Sequence, residues 1–410
     1  MQYSCSVNIF IPTTPRQTQA SHTQASHTIP AHLLHALGKE GRARAQHFLA
    51  ACPIHKPTAL HSMQPLATKL GVAALYVKDE SLRLGLGSFK ALGGAYAVMS
   101  LVLDVASKAL GRALQPQDLL LPKVRAIASG LTVACATDGN HGRSVAAGAR
   151  ICGCKSKIFV HENVSQARTG AIAALGASMV RVSGGYDDSV VAAAQAAVSQ
   201  GWHIVSDTAY EGYEAIPLTV MQGYTVMAGE AFDALSAQGA HQPPTHIFLQ
   251  AGVGGMAAAV AAHALAVYGA VQLPKIIVVE PLRAACLYES ARAGKAVSVP
   301  SELPTLMAML ECHTPSPIAW QILEPLASSY VALEEGEALI GIRHLADAGI
   351  TGGESGAAGY AGLVACMADA QARVALGLDA QSRVLVFNTE GATDLVIYAD
   401  LLRQARQNQH

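Results

Sequence analysis

Short runs of β-branched residues alternate with longer alanine-rich runs from about residue 70 onward. The short runs predict strands, and the long runs, of ten or more residues, predict helices. Strands that alternate with helices favour parallel sheets covered on both faces by helices. These strands are too many for one small domain, so we expect two open, doubly wound α/β domains.

The predicted strands are Ala74–Lys78, Val133–Ala136, Ser156–Val160, Ser178–Val182, His203–Ser206, His246–Gln250, Ile276–Glu280, Tyr330–Leu333 and Val384–Asn388. The predicted helices are Ala91–Leu110, Arg143–Ile151, Asp188–Gln200, Leu218–Ala237, Met256–Tyr268, Gly336–Asp347 and Ala357–Ala375. In such sheets ligands bind beyond the carboxyl ends of the strands. Unusual sequences at those ends are therefore the candidates for a functional site.

The charge of the chain excludes some classes of partner. Among 410 residues only 14% are charged, and the net charge is −1. A low charged fraction favours a compact enzyme over a disordered chain. A near-neutral chain has no bulk field for nucleic acid or for an anionic membrane, so we expect neither partner.

The eight cysteines are scattered through a long chain instead of clustering in a short one. This pattern predicts reduced thiols and a cytoplasmic protein. Cys152 and Cys154 form the one close pair, whereas zinc sites usually show two, so we expect no metal.

Two segments differ from the rest of the chain. Residues 1–30 contain a tandem QASHT repeat and little to bury, which predicts a disordered extension. Residues 251–271 lack formal charge and are long enough to span a membrane. They are mostly alanine and glycine, however, so a glycine turn followed by a buried helix fits better.

Lys90 follows a predicted strand and a glycine-containing loop, and it begins a predicted helix in the run Ser88-Phe89-Lys90. The positive end of the helix dipole disfavours a cation, which helps to lower the pKa of an amine. Schiff-base chemistry needs such a lysine. Position alone still favours an ordinary exposed lysine.

Ser88-Phe89-Lys90, after Lys78-Asp79-Glu80, resembles the cofactor-lysine segment of the tryptophan synthase β-like, or fold type II, pyridoxal-phosphate enzymes. This resemblance implies that Lys90 carries pyridoxal 5'-phosphate as a Schiff base, with Phe89 beside it. It also implies two domains, the smaller inserted in the larger. We place the large domain at residues 31–92 and 214–410, and the small one at 93–213.

The run Thr137-Asp138-Gly139-Asn140-His141 follows a strand and precedes a helix. Backbone N–H groups at such a turn suit a carboxylate. The family's similar loop grips the substrate carboxylate and the cofactor O3′, which implies Asn140 for the cofactor and Thr137, Asp138 and His141 for the substrate. Asp138 replaces a small hydroxyl residue of the dehydratases, and a carboxylate near the substrate Cα can act as a general base.

The run Gly252-Val253-Gly254-Gly255 lies between a predicted strand and a predicted helix. Consecutive glycines allow the backbone to wrap a phosphate, and the helix N-terminus favours its charge. Alone the signal is weak, because many such turns use glycine for geometry. Together with Lys90, the family's phosphate loop is the better interpretation.

Two further strand ends carry candidate residues. Asp207 could simply cap a turn, but it could also recognise a second amine on the substrate. Thr389 resembles the family's neutral residue that faces the pyridine nitrogen, and Asn388 is the alternative because the register is open. A neutral partner leaves that nitrogen largely unprotonated, which suits β-elimination.

Long motifs around these residues resemble the branch of the family that eliminates ammonia from 2,3-diaminopropionate. The resemblance implies a carbon–nitrogen lyase that forms pyruvate and two ammonia through Cα proton abstraction and aminoacrylate. Lys90 and Asp138 would take the proton from opposite enantiomers, and Asp207 would lie near the leaving amine. The alternatives are a serine or threonine dehydratase and a non-catalytic cofactor-binding protein. Family analogy favours a homodimer.

Overall fold

The computed structural model describes residues 7–12, 29–52, 54–137, 139–238 and 242–407. The QASHT repeat lies outside these ranges. Contacts divide the chain into two compact units. Unit 1 comprises residues 1–39, 57–82 and 227–410, and unit 2 comprises residues 40–56 and 83–226.

Unit 1 contains a seven-stranded sheet in the order β1-β10-β9-β8-β11-β3-β2. The five central strands run parallel, and the two edge strands run antiparallel to their neighbours. The strands are β1 Asn8–Phe10, β2 Leu60–Ser62, β3 Ala74–Asp79, β8 His246–Gln250, β9 Lys275–Pro281, β10 Ala327–Leu333 and β11 Arg383–Asn388. Every residue of β8 is buried, as expected for a parallel strand covered on both faces.

Unit 2 contains a four-stranded parallel sheet in the order β6-β5-β4-β7. Its strands are β4 Thr132–Ala136, β5 Lys155–His161, β6 Ser178–Val182 and β7 His203–Ile204. Both sheets confirm the predicted α/β class with parallel sheets.

The α-helices of the described residues are α1 Ala31–Leu37, α2 Lys39–Ala50, α3 Gln64–Leu70, α4 Lys90–Leu110, α5 Pro122–Ser129, α6 Asn140–Cys152, α7 Gln166–Ala173, α8 Tyr186–Gln200, α9 Ala215–Ala237, α10 Gly255–Tyr268, α11 Cys286–Ala293, α12 Pro317–Leu326, α13 Glu335–Asp347, α14 Ala358–Ala368, α15 Ala370–Leu376 and α16 Leu395–Gln407. The division between the two units falls within α9 along the chain. The domain boundaries proposed from the sequence, at residues 92 and 213, stay a prediction.

The predicted helix Ala357–Ala375 is two helices in the structure, α14 and α15. Asp369 separates them, and its carboxylate accepts hydrogen bonds from the backbone N–H groups of Gln371 and Ala372, both at 2.8 Å. Aspartate is a strong N-cap residue, and this cap starts a new helix within an alanine-rich run.

Helix α4 is the one helix of the described residues that is long and apolar enough to cross a membrane. Two thirds of its apolar window, 67%, is buried inside the protein. Burial to this extent is typical of a core helix. The segment 251–271 likewise forms the expected glycine turn and a helix, α10, that is buried from Gly255 to Leu265.

His246 at the start of β8 gives unit 1 a pH-dependent stability. Its Nε2 donates to the Leu376 carbonyl at 3.1 Å, and burial lowers the pKa of this imidazole to about 4. The unfolded chain binds a proton near pH 6.5, whereas the folded protein resists it until about pH 4. We therefore expect the free energy of unfolding to be highest above pH 6.5 and to fall by about 3 kcal/mol as the pH drops to 4.

Urea denaturation between pH 7 and pH 4 measures this slope. His246→Gln keeps a side-chain donor but does not titrate, so its stability should fall less steeply. An unchanged slope in that variant would remove His246 as the cause.

Candidate active site

Lys90 is the first residue of α4, as the sequence predicts. Its side chain is 22% exposed, and its ammonium group forms an ion pair with the carboxylate of Asp207. The ring of Phe89 lies beside the same amine, with Nζ 5.5 Å from the ring centroid. The Phe89 ring also contacts Tyr224, with 4.7 Å between ring centroids. Among the described residues of unit 2, one carboxylate and two aromatic rings thus lie around the lysine.

Close packing of glycines fixes the start of α4 within unit 2. A Cβ on Gly94 would lie 2.8 Å from the Ser144 hydroxyl of α6, and a Cβ on Gly148 would lie 2.8 Å from the Ala95 Cα. The Ser144 hydroxyl also accepts a hydrogen bond from the Ala95 N–H at 2.9 Å. A Cβ on Gly93 would lie 2.5 Å from the ring of Tyr224, so this position also requires glycine. These glycines have a packing role, which explains why they follow the lysine so closely in the sequence.

Asp207 lies on the loop after β7 and is largely shielded from solvent, with 15% of its side chain exposed. Burial would raise the pKa of its carboxyl, but the charge of the Lys90 ammonium and its hydrogen bond to the carboxylate outweigh burial and hold that pKa well below its usual range. Tyr213 braces this loop, because its hydroxyl accepts from the Ser206 N–H and donates to the Ile204 carbonyl, both at 2.9 Å. Asp207 is therefore a fixed, ionised carboxylate.

His141 is buried in the first turn of α6 and faces the same carboxylate. Its Nε2 lies 2.8 Å from the Val205 carbonyl, so this nitrogen must be the donor. Its Nδ1 lies 3.9 Å from Asp207 Oδ2 and has no hydrogen-bond partner among the described residues. Burial lowers the pKa of the imidazole, which favours a neutral ring that presents a lone pair at Nδ1.

Thr137 holds the loop before α6 together. Its hydroxyl accepts from the N–H groups of Gly139 and Gly142, both at 3.1 Å. Asn140 begins α6 and is buried. Asp138 lies outside the described residues, so its role as a base stays a prediction. Contact between Thr137 and the substrate also stays a prediction. The Thr137 hydroxyl oxygen already accepts two hydrogen bonds within this turn.

The glycine run of unit 1 connects β8 to α10. Gly254 has φ +95° and precedes the first helical residue, Gly255. A Cβ on Gly252 would lie 2.8 Å from the Cys312 sulfur, and the Val253 carbonyl accepts from the Ser316 N–H at 2.9 Å. Tight packing at Gly252 and the positive φ of Gly254 thus require glycine in a run that ends at the N-terminus of a 14-residue helix.

Asn388 and Thr389 at the end of β11 have different surroundings. The Asn388 amide nitrogen donates to Asp79 Oδ1 at 2.8 Å and to the Thr351 carbonyl at 3.0 Å. Thr389 Oγ1 accepts from the Gln250 amide at 2.9 Å. The Asn388 amide nitrogen therefore already donates to protein partners, whereas the Thr389 hydroxyl keeps a proton to donate.

Two buried residues near these sites received no role from the sequence. Lys78, at the end of β3, donates to Glu230 at 2.7 Å and to the Thr58 carbonyl at 2.8 Å, so it is structural. Gln250 ends β8, and Ala251 separates it from the glycine run. A polar residue at the end of an otherwise apolar strand was the available signal for it.

Comparisons with known proteins agree with this chemistry. The profile of the family described as "Pyridoxal-phosphate dependent enzyme" matches residues 52–390. Diaminopropionate ammonia-lyase of Escherichia coli (strain K12) is 38% identical over 361 residues, which cover 86% of this chain and 88% of that protein. The crystal structure of the holo form of the Escherichia coli diaminopropionate ammonia lyase superposes with a TM-score of 0.86 at 34% identity, covering 98% of each chain.

A probable D-serine dehydratase of Acidovorax ebreus (strain TPSY) is more distant. It is 28% identical over 255 residues, which cover 59% of this chain and 53% of that protein. The family profile covers most of the chain, and the ammonia-lyase similarity extends over nearly all of it. The chain therefore belongs to the diaminopropionate ammonia-lyase family of pyridoxal-phosphate-dependent enzymes.

Proposed function

We propose that this chain eliminates ammonia from 2,3-diaminopropionate and thereby forms pyruvate and a second ammonia. The ion pair between Lys90 and Asp207 carries the proposal. When Lys90 is engaged in a Schiff base, Asp207 loses its ammonium partner and can bind another. A substrate with a second amine supplies one, whereas the hydroxyl of serine does not.

The described residues fit pyridoxal phosphate. Side chains at Gly252 and Gly254 would press on Cys312 and Ala319, so both positions require glycine. The backbone N–H groups at the start of α10, which follow this run, suit a phosphate. Thr389 offers a neutral hydroxyl for the pyridine nitrogen, and Lys90 offers the amine for the aldehyde. The bound cofactor would delocalise the electron pair that remains when the Cα–H bond breaks.

The protein residues would divide the remaining chemistry. Lys90 and Asp138 would accept the Cα proton from opposite enantiomers, and Asp207 would hold the second amine as it leaves. Breaking the Cβ–N bond releases one ammonia. Hydrolysis of the enamine product then consumes one water and yields pyruvate and the second ammonia. The aromatic rings of Phe89 and Tyr224 would help to exclude water from the lysine.

A comparison of substrates tests this assignment. The purified holoenzyme should form pyruvate from 2,3-diaminopropionate with a kcat/KM at least about 10²-fold above that for D- or L-serine, because only the diamine pairs with Asp207. Pyruvate is followed with lactate dehydrogenase and NADH. Faster turnover of either serine enantiomer would instead assign the chain to the dehydratases.

The small amino-acid substrate needs no macromolecular partner, and family analogy supports a homodimer. The exposed Leu395 and Val396 at the start of α16 are compatible with contact to another copy. Free cysteines throughout the described residues support a cytoplasmic location. A mass measurement in solution tests the dimer against the 42.5 kDa of one chain.

A further inference from the structure

The side-chain amide of Gln250 is buried where three segments of unit 1 meet. Its nitrogen lies 2.7 Å from the Gly356 carbonyl, 2.9 Å from the Phe387 carbonyl and 2.9 Å from the Thr389 hydroxyl. The residue is only 2% exposed. This amide therefore connects the end of β8 to the end of β11 and to the turn before α14.

Chemistry fixes the orientation of this amide. Backbone carbonyls can only accept hydrogen bonds, so the group that faces Gly356 and Phe387 must be the nitrogen. A flipped amide would place Oε1 against both carbonyls. In the orientation observed, Oε1 has no hydrogen-bond partner among the described residues, and Gly359 leaves room for it, since a Cβ there would lie at 2.6 Å.

The orientation of Gln250 determines that of the Thr389 hydroxyl. The amide nitrogen shares its two hydrogens among these three oxygens and cannot accept, so the threonine oxygen turns a lone pair and not its proton toward Gln250. The threonine proton then points elsewhere. Because Thr389 is buried, with 3% exposure, this proton must find its acceptor within the protein or in a bound group.

We propose that Gln250 is a positioning residue that makes the Thr389 hydroxyl a hydrogen-bond donor toward the pyridine nitrogen of the bound cofactor. A neutral donor leaves this nitrogen unprotonated, which suits elimination. Gln250 acts through Thr389 and touches no reacting atom. The inference rests on the role proposed for Thr389 above, and it adds the residue that sets the direction of that hydroxyl.

The ¹⁵N chemical shift of the pyridine nitrogen tests this proposal directly. The protein and its variants are reconstituted with pyridoxal phosphate carrying ¹⁵N in the ring, and the ¹⁵N resonance is recorded without substrate. Thr389→Val removes the donor and should move the resonance, whereas Thr389→Ser keeps the hydroxyl and should leave it in place. No movement in Thr389→Val would overturn the inference.

Gln250→Met keeps the approximate volume and removes the amide. The carbonyls of Gly356 and Phe387 then lack their donor, and the Thr389 hydroxyl can turn toward them. The ¹⁵N resonance should therefore move in the direction seen for Thr389→Val, by at least half as much. If this variant does not fold, Gln250→Asn retains an amide that is one methylene too short and should give the same shift.

The double variant Gln250→Met/Thr389→Val separates positioning from general support of the fold. If Gln250 acts through Thr389, the double variant should show the same resonance as Thr389→Val alone. A purely structural role would lower cofactor occupancy without moving the resonance in Gln250→Met, and that result would overturn the inference. Because no substrate is present, this outcome is independent of whether diaminopropionate is the substrate.

Discussion

Lys90→Ala should reduce pyruvate formation from 2,3-diaminopropionate by about 10³-fold or more. The change removes both the amine that would carry the cofactor and one of the two proposed bases. It should also abolish the absorbance band of the lysine–cofactor Schiff base. A visible absorption spectrum and a coupled pyruvate assay on the same preparation measure both losses.

Two control variants separate chemistry from folding. Lys90→Arg keeps a cation beside Asp207 but cannot form a Schiff base, so it should fold and remain inactive. Lys108→Ala removes an exposed lysine from the same helix and should leave activity unchanged. A Schiff-base absorbance band that survives in Lys90→Ala would assign the cofactor to another lysine.

Asp207→Asn should lower kcat/KM for 2,3-diaminopropionate by about 10²-fold or more, because the loss of one partner from a shielded ion pair costs about 3–5 kcal/mol. Any residual turnover of serine should fall much less, since serine has no second ammonium. The ratio of the two kcat/KM values is therefore the informative quantity.

Asp187→Asn provides the matched control for this change. Asp187 lies in the first turn of α8, within the same unit, and is exposed. Its replacement should leave both kcat/KM values near those of the unmodified enzyme. Equal losses of kcat/KM for diaminopropionate and serine in Asp207→Asn would show that Asp207 supports the loop and does not recognise the second amine of the substrate.

The parallel strands could be predicted well from the sequence. The bounds of β6 and β8 agree with the predicted ranges, because glycine or proline residues lie close to both ends of the two strands in the sequence. Strand β8 is also buried throughout, as expected of a central parallel strand. The edge strands β1 and β2 were missed. Each has three residues and is only partly buried, so neither shows a run long enough to stand out. The prediction of a disordered extension over residues 1–30 is wrong for Asn8–Phe10, which pair with β10.

Other boundaries depended on tertiary contacts that the sequence does not show. Strand β7 ends at Ile204, two residues before the predicted end, and the next carbonyl, that of Val205, bonds to His141. The predicted helix over residues 357–375 divides at Asp369, whose capping role outweighs the alanine-rich composition.

The candidate site was predictable in its residue types but not in its pairings. Motif order indicated Lys90, Asp207 and His141, yet only the structure brings the lysine and the histidine to one carboxylate. Gln250 was unpredictable as a positioning residue, because its partners are carbonyls and a hydroxyl more than 100 residues away.

The tight glycine contacts of α4 determine which part of this catalyst can move. Since Gly94 and Gly148 bring two helices into backbone contact, α4 has little freedom to slide or tilt against α6. The Lys90 amine must therefore move between Asp207 and the cofactor by rotation of the bonds in its own side chain. Rotation of a side chain about its own bonds is a local motion, whereas collective motions of helices take microseconds or longer. The lysine can thus leave and return without waiting for the scaffold.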